Sequence, residues 1–85
     1  MITVTINKWR KAKVTPVIVT GTVEPPVGKE ESLIGRNALL ELETDSIYIE
    51  ASDLNWLFPT DIDGKRYASF FASDFTYKEG EPNVQ

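Results

Sequence analysis

The feature that most restricts this chain is a repeated alternation of β-branched and polar residues. Ile2, Val4 and Ile6 alternate with Thr3, Thr5 and Asn7, a period of two that fits a half-buried strand and no helix. Residues 14–23 keep the β-branched character. Pro16 near their start points to an edge or a bulge, because proline brings no N–H to a ladder, and Gly21 is a second bulge signal. Residues 32–43 hold good helix formers. Leu40 and Leu42 nevertheless alternate with Glu41 and Glu43, run into the turn composition Thr44-Asp45-Ser46, and are followed by Ile47 and Ile49 alternating with Tyr48 and Glu50. Two alternating runs about a short polar turn predict a β-hairpin.

Between these runs lie the breaks. Residues 8–13 place four cations and Trp9 in six positions, a composition expected at a hairpin tip. Residues 24–31, with Pro25, Pro26 and Gly28, read as a surface loop. Residues 52–58 read as one short helical turn, capped by Ser52 or Asp53 and stopped by Pro59. Asp63-Gly64 marks a turn, and residues 66–77 form a strand-like stretch rich in aromatic rings. By parity Tyr67, Phe71, Phe75 and Tyr77 share one face and Phe70 takes the other, unless a bulge near Ser73 and Asp74 shifts the count. The expected domain covers 1–78, with 79–85 as a loose tail.

The fold class is therefore mainly β: one small domain, a barrel or strongly curved antiparallel sheet, with one helical turn near 52–58. Residues 35–54, a strand, a tight turn, a second strand and a single helical turn, are similar to the middle of many SH3-like barrels. An OB-like barrel produces nearly the same string, and the likeness is one of pattern, not of signature residues.

Composition then removes whole classes of function. The 85 residues include no cysteine and no histidine. No disulfide, thiolate nucleophile, Ser–His pair or zinc site is available, so the expectation is no enzyme, no cofactor and no metal. The absence of cysteine fits a reducing cytoplasm, and no apolar run approaches the length of a membrane span. Asp61 and Asp63 are turn residues before they are a catalytic pair, and the cations Lys65 and Arg66 behind them rule out an EF-hand loop. Net charge is −4, divided between +3 in residues 1–36 and −7 in residues 37–85.

Three functions remain open. The first is a protein-binding module (an adaptor, inhibitor or assembly subunit of the size common among phage and mobile-element products), acting through a protein partner or self-association. Its candidate contact residues are Leu54, Trp56, Leu57 and Phe58. On one helical turn Leu54, Leu57 and Phe58 share a side and Trp56 points away, as an anchor or as a plug. The second is a single-stranded nucleic-acid binder using Lys8, Trp9, Arg10, Lys11 and Lys13, where cations neutralise phosphate and the ring stacks on a base. Against it stands a solvated basic turn with Trp9 folded back and a cation paired to the acidic half. The third is an acidic DNA mimic built on Glu41, Glu43, Asp45, Glu50 and Asp53.

Overall fold

The computed structural model describes residues 1–25, 28–53 and 59–80, with the backbone alone at 28 and 29. Seven strands occur among them: β1 (Ile2–Ile6), β2 (Arg10–Thr22), β3 (Asn37–Glu41), β4 (Ser46–Glu50), β5 (Thr60–Ile62), β6 (Lys65–Phe71) and β7 (Phe75–Glu79). Short 3-10 turns span Gly28–Leu33, Leu42–Thr44 and Ala72–Asp74. Every pairing is antiparallel, in the order β1-β5-β6-β4-β3-β2, and β2 pairs back onto β1. The result is a closed six-stranded barrel, with β7 added to β2 as an extra strand. Closure removes most of the open edge that a short sheet would otherwise present.

β2 is long enough to serve two neighbours along one edge. Its first half pairs with β1 as far as Val14, and its second half pairs with β7 from Val17 onward. Pro16 sits at the handover. Its carbonyl accepts from Gly80 N at 3.0 Å, so its nitrogen faces the same edge and no N–H is demanded by β3 on the other side. Gly21 marks the expected bulge. The register slips between Val19↔Tyr77 and Gly21↔Thr76, leaving Thr20 as the extra residue. A Cβ on Gly21 would lie 3.1 Å from Thr76 Oγ1.

The apolar residues form two cores, on opposite faces of the same strands. Inside the barrel lie Val4, Ile6, Ala12, Val14, Tyr48, Ile62 and Tyr67, with Leu39 at their margin. On the outer face of β2, β3 and β4 lie Val17, Val19, Ala38, Leu40, Ile47 and Ile49, covered by Leu33, Ala72 and Phe75, with Phe70 packed alongside. Alternate residues of a strand point to opposite faces, so Ile47 and Ile49 serve the outer core and Tyr48 the inner one.

The structure departs from the sequence reading at several points. β3 is buried on both faces near its end, so Glu41 is inside at 2% exposure, while Leu42, where the chain leaves the strand, is 69% exposed. Residues 66–77 are two strands, not one. The 3-10 turn Ala72–Asp74 breaks them and resets the parity, so Phe70 and Phe75 meet in the outer core, ring centroids 5.2 Å apart, and Phe71 is exposed. Of the basic run, only Lys8 and Trp9 belong to the turn; residues 10–13 are already strand. β7 runs to Glu79, which pairs with Val17. Ser52 and Asp53 form a turn, and the rest of the expected helical turn, 54–58, lies outside the described residues.

The barrel closes at a narrow seam. β1 and β5 share one bridge pair, Ile6↔Ile62, flanked by the backbone bonds Asn7 N to Asp61 O and Asp63 N to Thr5 O. Two turn side chains extend it: Asn7 Oδ1 accepts from Asp61 N at 3.1 Å, and Asp63 Oδ1 accepts from Thr5 N at 3.0 Å. Both residues hold positive φ, 52° and 50°, a conformation Asn and Asp tolerate better than most. Asp63→Ala is expected to lower stability by about 1–2 kcal/mol, one exposed hydrogen bond plus the left-handed backbone. Asp63→Asn, which keeps the acceptor, is expected to recover most of it, as read from urea midpoints.

Candidate functional site

The β1–β2 hairpin turns through Asn7 and Lys8, both at positive φ, and Trp9 N bonds back to Ile6 O at 3.2 Å. This is the geometry of a primed hairpin turn. A lysine at φ 71° occupies a conformation that glycine adopts without strain. The three-residue loop closes on the pair Ile6↔Arg10 and leaves Trp9 unpaired, with 79% of its surface exposed. The ring therefore does not fold back onto the barrel.

The cations of this segment divide by strand parity. Arg10 shares its face with Ala12 and Val14 and turns into the barrel mouth. Its guanidinium donates to Glu41 through Nη1 to Oε2 at 2.9 Å and Nη2 to Oε1 at 3.1 Å, and through Nη2 to Tyr48 Oη at 3.2 Å. Tyr48 Oη in turn donates to Glu41 Oε1 at 2.6 Å. The Arg10 guanidinium holds the Glu41 carboxyl down at about 2 against the cost of burial, with Tyr48 assisting. Burial and the neighbouring carboxylate push the Tyr48 phenol up, and Arg10 is held above its ordinary value by Glu41. This group is spent on itself.

Lys11 and Lys13 take the opposite parity and point outward, across from Thr5 and Thr3. With Lys8 they form no ion pair among the described residues, whereas Arg10, Arg36 and Lys65 are bound to Glu41, Asp53 and Glu50. Beside the two lysines runs an open groove of about 440 Å³ lined by Met1, Thr3, Thr15, Leu40, Leu42 and Glu43. Met1 and Leu42 are largely exposed there. The hairpin thus presents an exposed indole, three unshared ammonium groups and an adjoining apolar trough.

Of the residues proposed from sequence, Lys8, Trp9, Lys11 and Lys13 share this surface, and Arg10 leaves it for the barrel mouth. Leu54, Trp56, Leu57 and Phe58 lie outside the described residues. The acidic set is dispersed: Glu41 is sealed by Arg10, Glu50 pairs with Lys65, Asp53 pairs with Arg36, and Asp45 accepts from Ser73 Oγ at 3.0 Å. Among the described residues, Glu43 and Asp45 of the five carry no ion pair. Met1 and Leu42 carried no local signal as site residues, since their meeting depends on β1 and β3 flanking β2.

No group of three or more acidic side chains among the described residues is placed to hold a metal ion, and no helix among them is long and apolar enough to cross a membrane. No protein-family model, curated protein or solved structure matches the chain.

Proposed function

We propose that the chain is a non-enzymatic protein-binding module that receives an acidic, apolar-anchored segment of a partner on the outer face of the β1–β2 hairpin. The supporting observation is the groove between Met1 and Leu42, flanked by Lys11 and Lys13, which form no ion pair among the described residues. An exposed apolar trough gains by desolvation, and unshared lysines favour a partner carrying carboxylates. Trp9 at the tip is the kind of side chain that anchors interfaces. A non-enzymatic role fits the chemistry available. The carboxylate most displaced from its ordinary range, Glu41, is buried and fully occupied, and nothing in the sequence supplies an imidazole or a thiol. A chain without cysteine suits a reducing, cytoplasmic setting.

Selection of peptides displayed against the immobilised chain tests this. Enriched sequences are expected to combine Asp or Glu with large apolar residues, and to bind the Lys11→Glu/Lys13→Glu/Leu42→Asp variant at least about tenfold more weakly. Absence of enrichment, or peptides indifferent to those substitutions, counts against the reading. A second reading, binding of single-stranded nucleic acid, is favoured by one observation: Trp9 is exposed directly beside Lys8. It requires oligothymidylate binding whose salt slope falls by about three when Lys8, Lys11 and Lys13 become alanine.

A further inference from the structure

β3 is shorter than the edge of β2 that it lines. Their ladder stops at Thr15↔Leu40, and the chain then leaves through the 3-10 turn Leu42–Thr44, where Asp45 N donates to Leu42 O. Residues 10–14 of β2 pair with β1 on one side and with no strand among the described residues on the other. Bonds elsewhere fix which groups lie on that open edge. Thr5 O accepts from Asp63 N and Thr5 N donates to Asp63 Oδ1, so the odd residues of β1 face β5 and its even residues face β2. Their partners Arg10, Ala12 and Val14 face β1 in turn. By alternation Lys11 and Lys13 direct their N–H and C=O toward the open edge. No backbone hydrogen bond joins those groups to another described residue. The groove of about 440 Å³ runs along this edge, with residues 11–13 and Thr15 on one wall and Leu42 and Glu43 on the other.

We propose that the partner segment binds as an extended strand, antiparallel to β2, in the line that β3 vacates after Glu41. The proposal rests on the assignment of this groove to an acidic, apolar-anchored segment, and it gives that segment a conformation and a spacing. An unpaired edge is a template for a strand, and Lys11 and Lys13 each offer it one N–H and one C=O. Residues of the added strand opposite Lys13 and Lys11 are two positions apart and share the outward face of the lysines. Opposite charges directly across a strand pair stabilise it, so both positions are carboxylates. The residue between them faces inward over Ala12, beside Arg10 and Glu41, which are already bonded to each other, and is therefore uncharged. The N-terminal end of the segment lies where β3 stops. Leu40 and Leu42 line the groove there, so an apolar side chain precedes the carboxylates. Glu43, on the far wall, disfavours further negative charge.

Titration of the full chain with synthetic peptides, followed by NMR of its backbone amides, provides the test. The peptide acetyl-Leu-Thr-Glu-Val-Glu-Thr-amide carries the spacing and is expected to bind with Kd between about 10 µM and 1 mM. At saturation, hydrogen exchange at the Lys11 and Lys13 amides is expected to slow by at least about tenfold, while the Ala12 amide, already directed to β1, changes little. The isomer acetyl-Leu-Thr-Glu-Glu-Val-Thr-amide puts its carboxylates on opposite faces and is expected to bind at least about fivefold more weakly. The first peptide N-methylated at both glutamates loses the donors that meet Lys11 and Lys13 and is expected to bind at least about tenfold more weakly. An isomer or an N-methylated peptide that binds as tightly as the first overturns the proposal. So does a first peptide that shows no binding at about 1 mM, or one that binds without slowing the two lysine amides. Peptides from the display selection that depend on Lys11 and Lys13 but leave those amides unprotected would keep the groove as the binding face and refute the strand. A selection with no enrichment would refute the groove assignment, and the strand with it.

Discussion

Arg10→Ala is expected to destabilise the protein by about 3 kcal/mol and to flatten its acid response. Removing one member of a buried pair leaves an uncompensated charge, which costs roughly 3–5 kcal/mol, and the partial exposure of Arg10 places this case at the lower end. In the wild type, Glu41 is held at about 2, below the ordinary glutamate value of about 4.3. A depressed folded value means the pair contributes fully above that ordinary value and is lost as pH falls toward 2. Without Arg10, burial is opposed only by the hydrogen bonds of Tyr48 and Thr44, so most of the depression of the Glu41 carboxyl is lost. The variant should then lose much less stability on acidification toward pH 2 than the wild type does. Urea midpoints from pH 7 to pH 3 read both slopes. A variant whose stability falls with pH as the wild type's does would mean that Arg10 does not govern Glu41. Replacing all three groups, as Arg10→Met/Glu41→Leu/Tyr48→Phe, is expected to regain most of the loss, because an apolar mouth needs no pairing.

Leu33→Ala is expected to cost about 3 kcal/mol, the range for truncating a fully buried leucine, although the residue belongs to no strand. It closes the outer core over Val17, Val19, Ala38 and Leu40, and its side chain is 0% exposed. Ile34, the next residue, is 39% exposed, and Ile34→Ala is expected to cost below about 1 kcal/mol. Denaturation followed by both far-ultraviolet circular dichroism and aromatic fluorescence checks the pair. A Leu33 variant as stable as the Ile34 variant would mean the outer core closes without this side chain.

These two sites mark where sequence reading stops. Local alternation, turn composition and the bulge glycine act over a few residues. They were enough for a small β domain, for the hairpin 37–50, for the Asp63-Gly64 turn and for the irregularity at Gly21. The same locality explains the mismatch at Glu41 and Leu42. Period-two reading assumes one buried face per strand, whereas β3 and β4 are buried on both, so the side chain next to Leu40 is interior as well. Whether a carboxylate there is tolerated depends on Arg10, 31 positions earlier, reaching it through the barrel mouth.

Function follows the same division. That Lys8, Trp9, Arg10, Lys11 and Lys13 form a basic, aromatic segment was legible directly. That Arg10 leaves the set while Lys11 and Lys13 stay beside Met1 and Leu42, without an ion pair among the described residues, was decided by strand parity and by the pairing of β1 and β3 on either side of β2. The chain alone determined which chemistries were unavailable, because a missing imidazole or thiol is missing in every fold. Which cations stay free, and which edge stays open, was decided by the tertiary structure, because both depend on contacts between residues far apart in the chain.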